Sequence, residues 1–204
     1  MSATSLLDWR RRVAAMYADV RSSHDPRQAH EIWRHARNDL LRTHPDSPVP
    51  LAQRQSFTGV PVAPYNPQLR FLVEVDPEVE PVRIEVTAGT DGIVPFERVG
   101  VVHLEGLGDL DVWWLATYGG GIFVPIRDIR SDGATYPGGR YVIDTVKGAD
   151  LGGDNGILVV DLNFAYNPSC AYDPAWACPL APPGNTVQQP VDAGELMRSP
   201  RQDG

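Results

Sequence analysis

Residues 69–86 read LRFLVEVDPEVEPVRIEV. Leu69, Phe71, Val73 and Val75 alternate with Arg70 and Glu74; beyond a turn framed by Pro77 and Pro81, Val82, Ile84 and Val86 alternate with Arg83 and Glu85. Successive side chains of a strand point to opposite faces, so each run carries one apolar and one polar face. Two such runs about a proline-framed turn predict a β-hairpin.

The same pattern continues toward the C-terminus, with strands predicted over residues 95–104, 110–118, 122–126, 140–146 and 157–164. Short alternating strands without intervening helices predict a mainly β, α+β domain: an antiparallel meander of about seven strands, closed or folded into a barrel or sandwich. Toward the N-terminus the period lengthens. Leu6, Trp9, Val13, Met16, Tyr17 and Val20 recur at helical steps, predicting a helix over about residues 5–21. Asp25 is placed as an N-cap and Pro26 as the first residue of a second helix, whose stripe is Ala29, Ile32, Trp33, Ala36, Leu40 and Leu41. Pro45 should end it near residue 43 or 44. His30, Arg34 and Arg37 share a side, as an anion clamp or, the favoured reading, a solvated or core-docking edge.

Residues 1–45 carry eight Lys/Arg against five Asp/Glu in a chain of net charge −8. A basic helical pair (1–45) should therefore pack on an acidic body (46–196), with a polar tail over 197–204. The proline-punctuated segment 45–67 should wrap the body, anchored by Leu51, Phe57, Val60 and Tyr65. An acidic body argues against nucleic acid, which requires clustered cations. No apolar run reaches the roughly 20 residues that cross a bilayer, and the first residues lack a signal pattern, so a cytoplasmic location with no membrane partner is expected. Trp113 and Trp114 serve either the core or a partner, which leaves the oligomeric state open.

Chemistry concentrates between residues 127 and 185. Arg127 and Asp128 end one predicted strand, Arg140 starts the next, and Asp161 and Asn163 share a side of the last. In a meander these positions can meet, so Arg127, Asp128, Tyr136, Arg140, Asp161, Asn163, Tyr166, Asn167 and Asn185 are expected to form one polar cluster, with the loop 167–183 packed over it. Two function classes follow. In the first, a pocket binds a small polar or anionic molecule through Arg127, Arg140 and the Asn-rich loop. In the second, an enzyme uses Asp128, Asp144 or Asp161 as acid or base and Tyr141, Tyr166 or Tyr172 as donors; a flavin-dependent version rests on fold analogy alone. A scaffold without a pocket is the third reading, since Asn and Asp commonly brace loops. No phosphate-loop, dinucleotide or metal motif is present, so no cofactor and no metal is assigned.

Seven residues separate Cys170 from Cys178. A disulfide closing so short a loop would stabilise by roughly 2–3 kcal/mol, but a reducing compartment disfavours it unless it is regulatory. Zinc needs further ligands, and a nucleophilic thiol needs a base that this stretch does not supply as histidine. Buried free thiols are the favoured reading.

The blocks HPDSPV (44–49), FTGV (57–60), IFVPIRDIRSDGATYPGGRY (122–141), VVDLNFAYNPSCAYDPAWACPLAPPGN (159–185) and AGE (193–195) occur in that order. Together they resemble the DUF1684 family of domains of unknown function, from the second helix to about Glu195. Gly184 stands where the resemblance implies Glu before Asn185, and Ile126 where it implies Phe. The family has no assigned reaction, so the resemblance implies an extent and a location, not a mechanism.

Overall fold

The computed structural model describes residues 2–89, 92–129 and 132–197, so of the expected tail only Met197 is described. Helix α1 spans Ala3–Ser22, capped by the Ser2 hydroxyl, which accepts from the Ser5 amide. Helix α2 spans Pro26–Thr43, and the Asp25 carboxylate accepts from the Arg27 amide as predicted. Val13, Met16, Tyr17 and Val20 of α1 and Ala29, Trp33 and Leu40 of α2 share one apolar cluster with Ala149 and Phe164 of the body. The pair is thus fastened to the β part rather than standing alone. No helix among the described residues is long and apolar enough to cross a membrane.

A short helix α3, Leu51–Arg54, interrupts the wrapping segment. Phe57 and Val60 are buried anchors, whereas Leu51 is 80% exposed and anchors nothing. A single turn of helix turns Leu51 outward, and the Arg54 guanidinium holds that turn by donating to the carbonyls of His44, Pro45, Ser47 and Val49.

The strands are β1 (Arg70–Glu74), β2 (Arg83–Ala88), β3 (Gly92–Leu104), β4 (Gly108–Leu115), β5 (Ile122–Asp128), β6 (Arg140–Asp144), β7 (Ile157–Asp161) and β8 (Thr186–Val187). Strands β2 to β6 form an antiparallel meander in sequence order, curled into a half-barrel, and β8 adds in parallel to β5. The alternating stretch that defines the fold does not form the expected hairpin. β1 pairs instead with β7 from Arg70↔Asp161 to Glu74↔Ile157, while β2 pairs with β3. The long strand β3 explains this. Its bulge between Arg98 and Gly100 divides it, so β2 lines its first half while Asp76, just past β1, exchanges both backbone bonds with Val101. Gly100 permits that approach, because a Cβ there would lie 2.6 Å from the Asp76 carbonyl oxygen. At the other side a second bridge joins Tyr141 of β6 to Tyr166.

β7 ends earlier than its alternation predicts. The Asp161 carboxylate accepts from the Asn163 amide, a local turn that diverts residues Leu162–Phe164 into one 3-10 turn. The main core lies inside the half-barrel: Val102, Leu104, Leu110, Val112, Val124, Ile126, Val142, Val160 and Leu162, with Val187, Val191 and Ala193 arriving from the C-terminal segment.

Candidate functional site

The C-terminal segment 191–197 has too little regular structure to satisfy its own backbone, and the polar motif residues do it instead. The Arg140 guanidinium, with no exposed surface, donates to the carbonyls of Ala193, Glu195 (3.1 Å) and Val191 (3.3 Å) and approaches Asp128 Oδ1 at 3.5 Å. Asp128 also accepts from the Thr135 hydroxyl (2.8 Å) and the Val191 amide (2.9 Å). Gly194, at φ +69°, lies against the carbonyls of Leu162 and Ala165, so the strap accepts no side chain there. Its carbonyl takes the Ala63 amide, and the Glu195 and Leu196 amides donate to Ala165 and Pro61. Buried guanidinium and carboxylate are costly unless paired, and here each has protein partners.

Through Glu195 this clamp joins a second group. The Glu195 carboxylate, 1% exposed, accepts from Arg37 Nε and Nη2 (3.2 Å), the Tyr172 hydroxyl (2.9 Å) and the Asn167 amide (2.7 Å). Arg37 Nη2 also donates to the Asn167 carbonyl and the Tyr172 hydroxyl, and its guanidinium stacks 4.6 Å from the Tyr166 ring centroid. Burial, then the charge of Glu195, push the Tyr172 phenol far up, so it stays a neutral donor. This buried ion pair is absent from the sequence expectations. Its signal is Arg37 itself: four residues after Trp33 and three before Leu40, it is a cation on the apolar stripe of α2.

In front of this group lies a cavity of about 160 Å³, lined by Val49, Pro50, Gln53, Phe57, Val60, Asn167, Ala171, Tyr172, Leu196 and Met197. Apart from Gln53, its walls come from four of the sequence blocks or the residues flanking them: 44–49, 57–60, 159–185 and 193–195. The Asn167 side-chain oxygen is buried and has no hydrogen-bond partner among the described groups, while its Nδ2 makes a 3.4 Å contact to the Leu196 carbonyl. A larger concavity of about 530 Å³ runs along β1, lined by residues 72–77 and His103, but it is open and gathers none of the nine predicted residues.

The remaining expected residues fall into separate bonded groups. Asp161 accepts from Asn163 Nδ2 (2.7 Å) and the Tyr65 hydroxyl (3.3 Å), with Arg70 Nε at 3.6 Å, and Asn163 ties down both backbone groups of Asn66. Arg127 donates to the Thr186 hydroxyl on the face of β5 opposite Asp128. Asn185 bridges the gap where β4 and β5 part: it donates to the Asp111 and Pro125 carbonyls (2.8 and 2.9 Å) and accepts from Trp113 Nε1 (2.8 Å). Trp113 is therefore a core residue, whereas Trp114 is 37% exposed. Next to Asn185, the Asp111 carboxylate fills the space that a side chain at Gly184 would need, which accommodates glycine where the resemblance implies Glu. Tyr166 is half-buried and packs edge-on against Tyr141, and burial pushes up the nearby Asp144 carboxyl. None of Asp128, Asp144 or Asp161 lines the 160 Å³ cavity. Among the described residues no group of three or more His, Cys, Asp or Glu is placed to hold a metal ion.

Tyr136 belongs to a thiol group. Its hydroxyl donates to Cys170 Sγ (3.3 Å), and the Cys170 amide donates to Cys178 Sγ (3.3 Å); both cysteines are free and half-buried.

The chain resembles the uncharacterised protein from gene locus rrnAC0354 of Haloarcula marismortui, whose solution NMR structure superposes with a TM-score of 0.58 at 28% identity, covering 82% of this chain and 92% of that one. No curated protein matches. The profile of the family described as "Protein of unknown function (DUF1684)" matches residues 55–196, from just after α3 through the C-terminal strap. The chain belongs to the DUF1684 family.

Proposed function

We propose that this domain binds a small neutral molecule with a hydrogen-donating group in the cavity before Tyr172 and Asn167. The observation that carries the reading is the buried side-chain oxygen of Asn167, without a protein partner, in a residue that lines a cavity whose other walls are mainly apolar, with Gln53 and Tyr172 as the polar exceptions. An unpaired buried acceptor costs about 1–3 kcal/mol, which a donor from a ligand recovers. At about 160 Å³, the cavity is smaller than the roughly 300–1,000 Å³ of pockets for drug-sized ligands. That suits a small alcohol or amide and is too little for a flavin. The anionic ligand expected from the sequence drops out of this reading, because Arg140 and Arg37 are engaged inside the protein and Arg127 lies elsewhere. Two free cysteines also fit a reducing compartment such as the cytoplasm.

Titration with small primary amides, alcohols and carboxylates, followed through backbone amide shifts, tests the reading. Shifts at Phe57, Asn167, Ala171, Tyr172 and Leu196 with an amide or alcohol support it. Shifts confined to other regions, or a preference for carboxylates, contradict it, and no shift with any probe leaves the scaffold reading standing.

A further inference from the structure

The loop 168–182 contains chemistry that ligand binding does not use. Pro168, Pro174, Pro179 and Pro182 stiffen it, and 3-10 turns at Ser169–Ala171 and Pro183–Asn185 lie at or just beyond its ends. Within it the Cys170 amide donates to Cys178 Sγ at 3.3 Å, which brings the second sulfur against the backbone of the first cysteine, and Tyr136 donates to Cys170 Sγ from the segment before β6. The Tyr141 hydroxyl anchors the same loop by donating to the Pro179 carbonyl at 2.6 Å. Both cysteine residues are partly exposed.

We infer that Cys170 and Cys178 form a thiol–disulfide exchange site that takes low-molecular-weight disulfides as its oxidised substrate, with Cys170 as the attacking thiol and Cys178 as the resolving one.

The roles follow from the donors. Two neighbouring thiols share the loss of their first proton. Tyr136 adds a donor to Cys170 alone. The Cys170 thiol is accordingly pulled down to about 6, chiefly by the Cys178 thiol, with burial opposing and Tyr136 assisting. Cys178 is pushed up, first by its hydrogen bond to Cys170 and then by burial. The other titratable groups facing the pair are Tyr141 and Lys147, and Lys147 favours a thiolate on Cys178 only weakly.

The exchange balances without any metal or cofactor. Cys170 thiolate attacks one sulfur of the small disulfide; that S–S bond breaks, and one thiolate leaves and takes a proton from water. Cys178, losing its proton to solvent, then attacks the Cys170 sulfur of the mixed disulfide and expels the second thiol. The protein loses two electrons and two protons, and the small disulfide becomes two thiols. The Cys178 sulfur lies 3.3 Å from the Cys170 amide, which meets the proximity that the second step needs, since bridged cysteines require closely placed side chains.

Oxidised glutathione is the probe. Treated at neutral pH under native conditions, the wild-type protein should lose both free thiols and two hydrogens of mass while retaining no glutathione. An early acid quench should trap glutathione on Cys170. Cys178→Ser should stop at a stable Cys170 adduct. Glutathione trapped on Cys178 instead, two stable adducts with no internal bond, or thiols untouched by the probe would each overturn the assignment. The wild-type mass decides without reliance on any variant's folding.

Discussion

Replacing Glu195 by Gln tests the buried group behind the cavity. Gln preserves volume but removes the charge and turns one acceptor oxygen into a donor facing donors. The carboxylate now serves Arg37 Nε and Nη2, the Tyr172 hydroxyl and the Asn167 amide. Without it, Arg37, 8% exposed, keeps the Asn167 carbonyl at 3.3 Å and the Tyr172 hydroxyl at 3.4 Å, both neutral and long. Removing one member of a buried pair costs about 3–5 kcal/mol. In a chain of this size each kcal/mol moves Tm by about 2–4 °C, so Glu195→Gln should lower Tm by about 6–20 °C. Urea unfolding should show a lower midpoint at unchanged slope. The double variant Arg37→Met/Glu195→Leu removes both charges and should recover about half of the loss, the rest being the orphaned Tyr172 and Asn167 donors. A single-variant loss below about 1 kcal/mol, or a double variant no better than the single, would refute the reasoning.

Arg140→Met should also cost about 3–5 kcal/mol, since it strands Asp128 and the carbonyls of the C-terminal strap; unchanged stability in denaturant would mean that Arg140 is not the clamp described. Asn185→Ala should cost about 3 kcal/mol, from three lost bonds and an unpaired Trp113 N–H, measured by the same unfolding curves. Alkylation of Cys170 should rise with pH about a midpoint near 6, against an ordinary thiol midpoint of about 8.5. The thiolate is the reactive form, so a lowered pKa moves the plateau to lower pH, and Tyr136→Phe should move it back up. The rate itself is a poor readout, because a more acidic thiolate is intrinsically less nucleophilic.

Local signals made the elements legible. Caps and a 3.6 period marked both helices, and a period of two marked the strands to within a few residues. Pairing was not legible, because alternation identifies a strand's faces and says nothing of its neighbour: β1 carries the same pattern whether it meets β2 or β7. The local Asp161–Asn163 turn likewise overrides an alternation that reads as continuous strand. For the polar residues, the types were evident but their grouping depended on pairing. One division was readable in advance: Arg127 and Asp128 are adjacent on a strand and must face opposite ways. The partnership of Arg37 and Glu195 spans 158 positions, and only the cation on the apolar stripe of α2 hinted at it.

The central claim is that the cavity before Asn167 and Tyr172 is a binding site, and filling it is the most direct test. Ala171 lines the wall, so Ala171→Leu places added carbons inside the cavity. The measurement is the affinity of the best small amide or alcohol for wild type and for Ala171→Leu, beside their unfolding curves. The account predicts that binding is lost while stability changes by no more than about 1–2 kcal/mol. Undiminished binding by the filled variant would contradict it.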